Sequence, residues 1–124
     1  MAAAKELPIY KVAYDLFKEV TESTRHMPRD FKLSLGGRIR DEALEIVTLI
    51  FRANAAIDKV PYLSDLLERV DVINLLLRLA HDMRFIATPH YARAIELTAS
   101  VGRQAGGWRK KSSASSPDVS PLRR

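Results

Sequence analysis

Prolines and glycines punctuate this sequence at intervals that suit helices of several turns, and that spacing constrains the fold more than any other feature. Pro8, Pro28, Pro61, Pro89 and the pair Gly106-Gly107 bound four segments, and in each the apolar residues recur at helical period, never in alternation. Proline has a fixed φ and no amide hydrogen, so it fits the first turn of a helix and interrupts any later one. Pro8 therefore opens a helix predicted over about 8–26, with Tyr10, Ala13, Tyr14, Phe17 and Val20 as its apolar stripe. Pro28 ends it, because the residue before a proline is pushed away from helical geometry. A second helix is expected from Ser34 as N-cap, with Leu35, Ile39, Ala43, Ile46, Ile50, Ala53 and Ile57 on one face. Pro61 starts a third, striped by Leu63, Leu66, Leu67, Val70, Ile73, Leu77 and Ala80 and lasting to about Phe85. Thr88-Pro89 reads as N-cap followed by proline, and Tyr91, Ala94, Ile95, Thr98, Val101 and Ala105 carry a fourth helix to Gly106-Gly107, where a left-handed C-cap is expected.

Short connections force consecutive long helices to run antiparallel, so the predicted fold is all-α, an antiparallel up-down-up-down four-helix bundle. Residues 1–110 form that one domain; 111–124 are a basic Ser/Pro-rich tail, expected to be disordered because it cannot build a core. The helices also carry a second set of apolar residues: Ile9, Val12 and Leu16 on the first, Leu44, Val47 and Phe51 on the second, Val72, Leu75, Leu76 and Leu79 on the third. A lone small bundle should show one apolar stripe per helix. Two-sided helices imply either contact with further copies of the chain, the reading preferred here, or a wide helix crossing that buries both faces internally.

The net charge of +5 lies entirely in the tail: residues 1–102 balance, whereas 103–124 hold 6 Lys or Arg against 1 acid. A basic tail suggests an anionic partner, usually nucleic acid. Cysteine is absent, so no disulfide or thiolate metal site can form. Met1-Ala-Ala-Ala-Lys5-Glu6 lacks the features of a secretory signal, and the apolar runs fall short of the ~20 residues that span a bilayer, so the chain is expected in the cytoplasm and off the membrane.

No common route to catalysis is visible. His26, His81 and His90 lack companions at metal-ligand spacing, Glu22 and His26 suit a solvated i,i+4 contact, and the glycine pairs 36-37 and 106-107 lack the Lys-Ser/Thr of a phosphate loop. There is no Gly-x-Ser-x-Gly elbow. The expectation is a protein without enzymatic activity, metal or cofactor, acting by binding.

The candidate binding residues are cations: Arg38, Arg40, Arg52, Arg78, Arg84, Arg93, Arg103, Arg109, Lys110 and Lys111. Arginine suits bidentate phosphate contact. Arg38 with Glu42 and Arg78 with Asp82 also have the spacing of solvated salt bridges, whereas Arg52 has no acid three or four residues away and is assigned a partner role. Trp108 could stack a base or clamp the open end of the bundle, and its position favours the clamp.

Ile9-Tyr10, Pro28-Arg-Asp-Phe-Lys-Leu-Ser-Leu-Gly36, Ile50-Phe-Arg-Ala-Asn54, Leu75-Leu-Leu-Arg-Leu-Ala-His-Asp82 and Val101-Gly-Arg-Gln-Ala-Gly-Gly-Trp108 occur in the order and spacing of a known family. Over roughly residues 8–110 the chain resembles the Avd-like four-helix-bundle family, Avd being the accessory variability determinant of diversity-generating retroelements. The resemblance implies a pentameric barrel of bundles that binds a reverse transcriptase, associates with RNA or DNA without sequence preference, and supports mutagenic retrohoming. A related branch, encoded in intervening sequences of 23S ribosomal RNA genes, implies instead an oligomeric interaction protein with no reverse-transcriptase partner.

Overall fold

The computed structural model describes residues 3–114. A short 3-10 turn, Ala4–Glu6, leads into α1 (Pro8–Ser23); α2 (Arg29–Lys32) is a single turn, and α3 (Leu35–Ala55), α4 (Val60–Asp82) and α5 (Thr88–Ala114) complete the chain. No strand occurs among the described residues. The four long helices form a closed square in which α3 packs on α1 and α4, and α5 packs on α4 and α1. Leu16, Ile39, Ile46, Ile50, Leu66, Ile73, Leu77 and Val101 are fully buried at its centre. One end, here called proximal, holds the starts of α1 and α4 and the finishes of α3 and α5; the distal end holds the α1–α3 and α4–α5 connections.

The helix limits depart from expectation for local reasons. α1 stops at Ser23, not near 26, where Ser23 and Thr24 hydroxyls donate back to the carbonyls of Glu19 and Val20. Such back-bonding competes with the helical ladder. Its core face is Ile9, Ala13, Leu16 and Val20, while Tyr10 and Phe17 are half-buried and Tyr14 is exposed. Ile9 and Leu16, expected on a second face, thus share the centre with Ala13 and Val20, and Val12 is half-buried. An aliphatic side chain can be enclosed completely, whereas a tyrosine hydroxyl needs water or a partner.

Ser34 does not cap α3; its hydroxyl donates to the Asp30 carbonyl within the α2 turn. Gly36 follows because the chain is tight there: a Cβ would lie 3.0 Å from Met27 Sδ and 3.4 Å from Thr24 Cβ. α3 ends at Ala55, leaving Ile57 fully exposed. Lys59 secures that end, its Nζ donating to the carbonyls of Ala53, Asn54 and Ala56 at 3.0, 3.2 and 2.8 Å. Carbonyls of a last helical turn run short of amides four residues on, and a cation complements the helix dipole at that terminus.

α4 stops at Asp82 because Arg84 takes φ of 63°, and the Phe85 amide closes the turn by donating to the Ala80 carbonyl at 2.8 Å. Thr88 is already helical, and its hydroxyl meets His81 Nε2 at 3.1 Å where a cap was expected. α5 runs straight through Gly106-Gly107 to Ala114, and no glycine has positive φ. Two helical glycines cost about 2 kcal/mol relative to alanine. Ala105, fully buried, and Trp108, packed against the core, flank the pair and offset that cost. The remainder of the expected tail, 115–124, lies outside the described residues.

The second apolar faces divide. Ile9, Leu16 and Val47 are buried within the bundle. Leu44 and Phe51 remain 48% and 46% exposed, and Leu75 and Leu79 67% and 46%.

Candidate nucleic-acid interface

The antiparallel arrangement distributes the candidate cations to opposite ends. α4, with 23 residues, is about 34 Å long, which sets the separation. Arg38, Arg40, Arg78 and Arg84 lie toward the distal end, with Arg93 in the distal half of α5. Arg52, Arg103, Arg109, Lys110 and Lys111 lie toward the proximal end. They are not one patch.

Most distal cations are engaged inside the molecule. Arg38 Nε donates to Glu42 Oε2 at 3.1 Å, and Arg69 of α4 donates to both Glu42 oxygens at 3.1 Å. Glu42 is buried, so two guanidinium groups hold one carboxylate across the α3–α4 seam. Arg40 donates from NH1 to Thr24 Oγ1 at 2.8 Å and from NH2 to the Lys32 carbonyl at 3.3 Å, tying the α1–α3 connection to α3. Arg78 pairs with Asp82 at 3.8 Å. Arg93 pairs with Glu96 at 3.3 Å. The Arg84 side chain has no ion pair with another described residue, but its backbone makes the α4–α5 turn.

The proximal cations differ. Arg52 does have an acid, Glu45, at 3.7 Å, two turns back on the same face and beyond the three- or four-residue window. Arg109 donates to Ser64 Oγ at 3.3 Å, a neutral partner. Arg103 and Lys110 make no ion pair with a described residue, and α5 contains no acid after Glu96. Trp108 is half-buried against the core and borders, with Leu7, Pro8, Ile9 and Gln104, a notch of about 210 Å³.

Arg69 and Lys59 were missed by sequence reasoning, and Glu42, found paired with Arg38 as its spacing suggested, is buried and not solvated. Arg69 and Glu42 are 27 residues apart, and no local spacing signals a tertiary pair. The histidines are also placed differently: Glu22 meets Arg25 at 3.1 Å, not His26, while His90 Nδ1 lies 2.7 Å from Glu19 on α1 and His81 stacks on Tyr91 at 4.3 Å. Among the described residues no cluster of three or more His, Asp or Glu could hold a metal ion, and no helix is long and apolar enough to cross a membrane.

The family model described as bAvd-like matches residues 7–112. The chain belongs to the bAvd-like family. The match spans all four long helices of the bAvd-like bundle and ends within the last turn of α5, so the Arg109-Lys110-Lys111 cluster falls inside the family domain. No curated protein matches the chain.

Proposed function

We propose that this bAvd-like chain is a non-enzymatic accessory protein of a diversity-generating retroelement, binding a reverse transcriptase and its template RNA or cDNA during mutagenic retrohoming. The family match over residues 7–112 carries this reading. The nucleic-acid half draws support from cations on a helix without neighbouring acids, suited to phosphate contact that ignores base sequence.

Self-association belongs to the same reading. Tyr14, Leu44 and Phe51 form one exposed apolar patch along the α1–α3 seam, joined by Tyr10, whose ring meets Phe51 at 5.5 Å. Leu75 and Leu79, one turn apart on α4, form another. The patches lie on different faces, so a two-fold contact between like patches covers only one of them. A head-to-tail contact covers both on every copy and closes into a ring when the rotation allows, in keeping with a pentamer.

The test is co-purification of the full chain with the products of neighbouring genes, followed by sequencing of bound nucleic acid. A reverse transcriptase and its template RNA in the complex are expected; a clean homo-oligomer with neither would overturn the assignment. That outcome would favour the second reading, an interaction protein of the 23S ribosomal RNA intervening-sequence kind, to which the internal pairing of Arg38, Arg40, Arg78 and Arg93 lends some weight.

A further inference from the structure

The proximal end combines an aromatic, an apolar recess and two exposed cations, Arg103 and Lys110, that make no ion pair with a described residue. The notch beside Trp108 is lined by Leu7, Pro8 and Ile9 from the start of α1 and by Gln104 and Trp108 from α5, one turn apart. It is too small for a drug-sized ligand, which needs upwards of ~300 Å³, and of a scale for one planar ring. Gln104 donates one amide hydrogen to Ser100 Oγ at 3.1 Å. Its carbonyl oxygen and second amide hydrogen remain for the edge of such a ring. Arg103 precedes Gln104 in α5, and Lys110, two residues after Trp108, borders a neighbouring recess with Val60 and Ser64 of α4. Lys5 is exposed on the preceding 3-10 turn, and residues 3–9 and 103–114 contain a single acid, Glu6.

We propose that this notch receives one unpaired base of a single-stranded nucleic acid, stacked on Trp108 and edged by Gln104, with phosphates of the same strand held by Arg103 and Lys110 on the exposed side of α5. The inference rests on the nucleic-acid reading above and says where and in what form the strand is held. Base stacking on an aromatic within a basic surface is tolerant of sequence, because every base has a π-face. A duplex keeps those faces inside its own stack, so the notch selects single strands. An apolar recess also distinguishes this end from a purely electrostatic docking surface, which needs no aromatic.

The chain has one tryptophan, so its fluorescence reports on this position alone. Titrating the full-length protein at low salt with oligouridylate and, separately, oligothymidylate of about 12 nucleotides is expected to quench Trp108 emission; a duplex of equal length is expected to leave it unchanged. The stronger of the two strands identifies RNA or DNA as the ligand. By anisotropy of a labelled strand, Trp108→Leu is expected to weaken binding about tenfold or more, with Trp108→Phe restoring most of it. If Trp108→Leu loses helicity, Gln104→Ala and Arg103→Ala, both on the bundle surface, must still weaken binding and reduce the quench. Strand binding by anisotropy with unchanged Trp108 emission places the strand elsewhere and overturns this inference while sparing the broader reading. No binding of either strand at about 50 mM salt removes the broader reading, and this one with it. Quenching by an acidic, tyrosine-containing peptide and by neither strand would assign the notch to a protein partner and equally overturn it.

Discussion

Near the distal end of the bundle, Arg38, Arg40 and Arg69 are structural parts; at the proximal end, Arg103 and Lys110 make no ion pair with a described residue. Arg38 and Arg69 close on buried Glu42, and Arg40 ties the chain between α1 and α3 to Thr24, so removing them should be felt as lost stability. Arg103 and Lys110 touch no acid among the described residues, so removing them should leave the fold alone. The number of cations near a surface therefore says little about binding. What the cations are already bonded to says more.

The sharpest way to break this comparison is Glu42→Ala. Removing the carboxylate leaves two guanidinium groups facing each other across α3 and α4, and breaking a buried pair from one side costs ~3 kcal/mol, which urea denaturation would register. A loss below about 1 kcal/mol would mean that the network is solvated and the distal arginines are free after all. Gly36→Ala comes next. The new methyl would press on Met27 Sδ at 3.0 Å and Arg40 NH1 at 3.2 Å, an overpacking expected to cost ~1–2 kcal/mol in the same measurement.

Gly106→Ala and Gly107→Ala test the opposite end with the opposite sign. Nothing lies within 4 Å of a Cβ at either position and both are helical, so each should raise stability by ~0.5–1 kcal/mol and raise Tm accordingly. A loss at either site would show that α5 bends there and that its last turns are not the continuous helix described. Arg103→Ala has the smallest expected effect on stability, within ~0.5 kcal/mol of the parent.

The same contrast explains what was legible in the sequence. Of the α3 and α4 stripes, Ile39, Ala43, Ile46, Ile50 and Ala53 with Leu63, Leu66, Val70, Ile73, Leu77 and Ala80 are buried as their period demanded, whereas Leu35 and Leu67 are half-buried and Ile57, past the end of α3, is exposed. Period alone could not orient α1, where Tyr10 and Tyr14 compete with Ile9 and Leu16 and the choice depends on which side chains tolerate full enclosure. Nor could it place the end of α5. A glycine pair marks a stop only if nothing beyond it packs, and Trp108 does. Candidate cations were recognisable by type, but their roles were not. Arg52 finds Glu45 seven residues away, Arg38 shares its acid with Arg69 of another helix, and Lys59 caps a helix that precedes it.

The most direct measurement is the salt dependence of single-strand affinity for two charge-matched double variants, Arg103→Ala with Lys110→Ala at the proximal end and Arg29→Ala with Lys32→Ala on the exposed distal turn α2. Each phosphate contact on a single strand contributes about 0.7 to the slope of log affinity against log salt. The proximal pair is expected to lower that slope by about 1.4 and the distal pair to leave it close to that of the parent. Equal slopes for the two variants, or a larger drop from the distal pair, would contradict the assignment of the nucleic-acid surface to the end of α5.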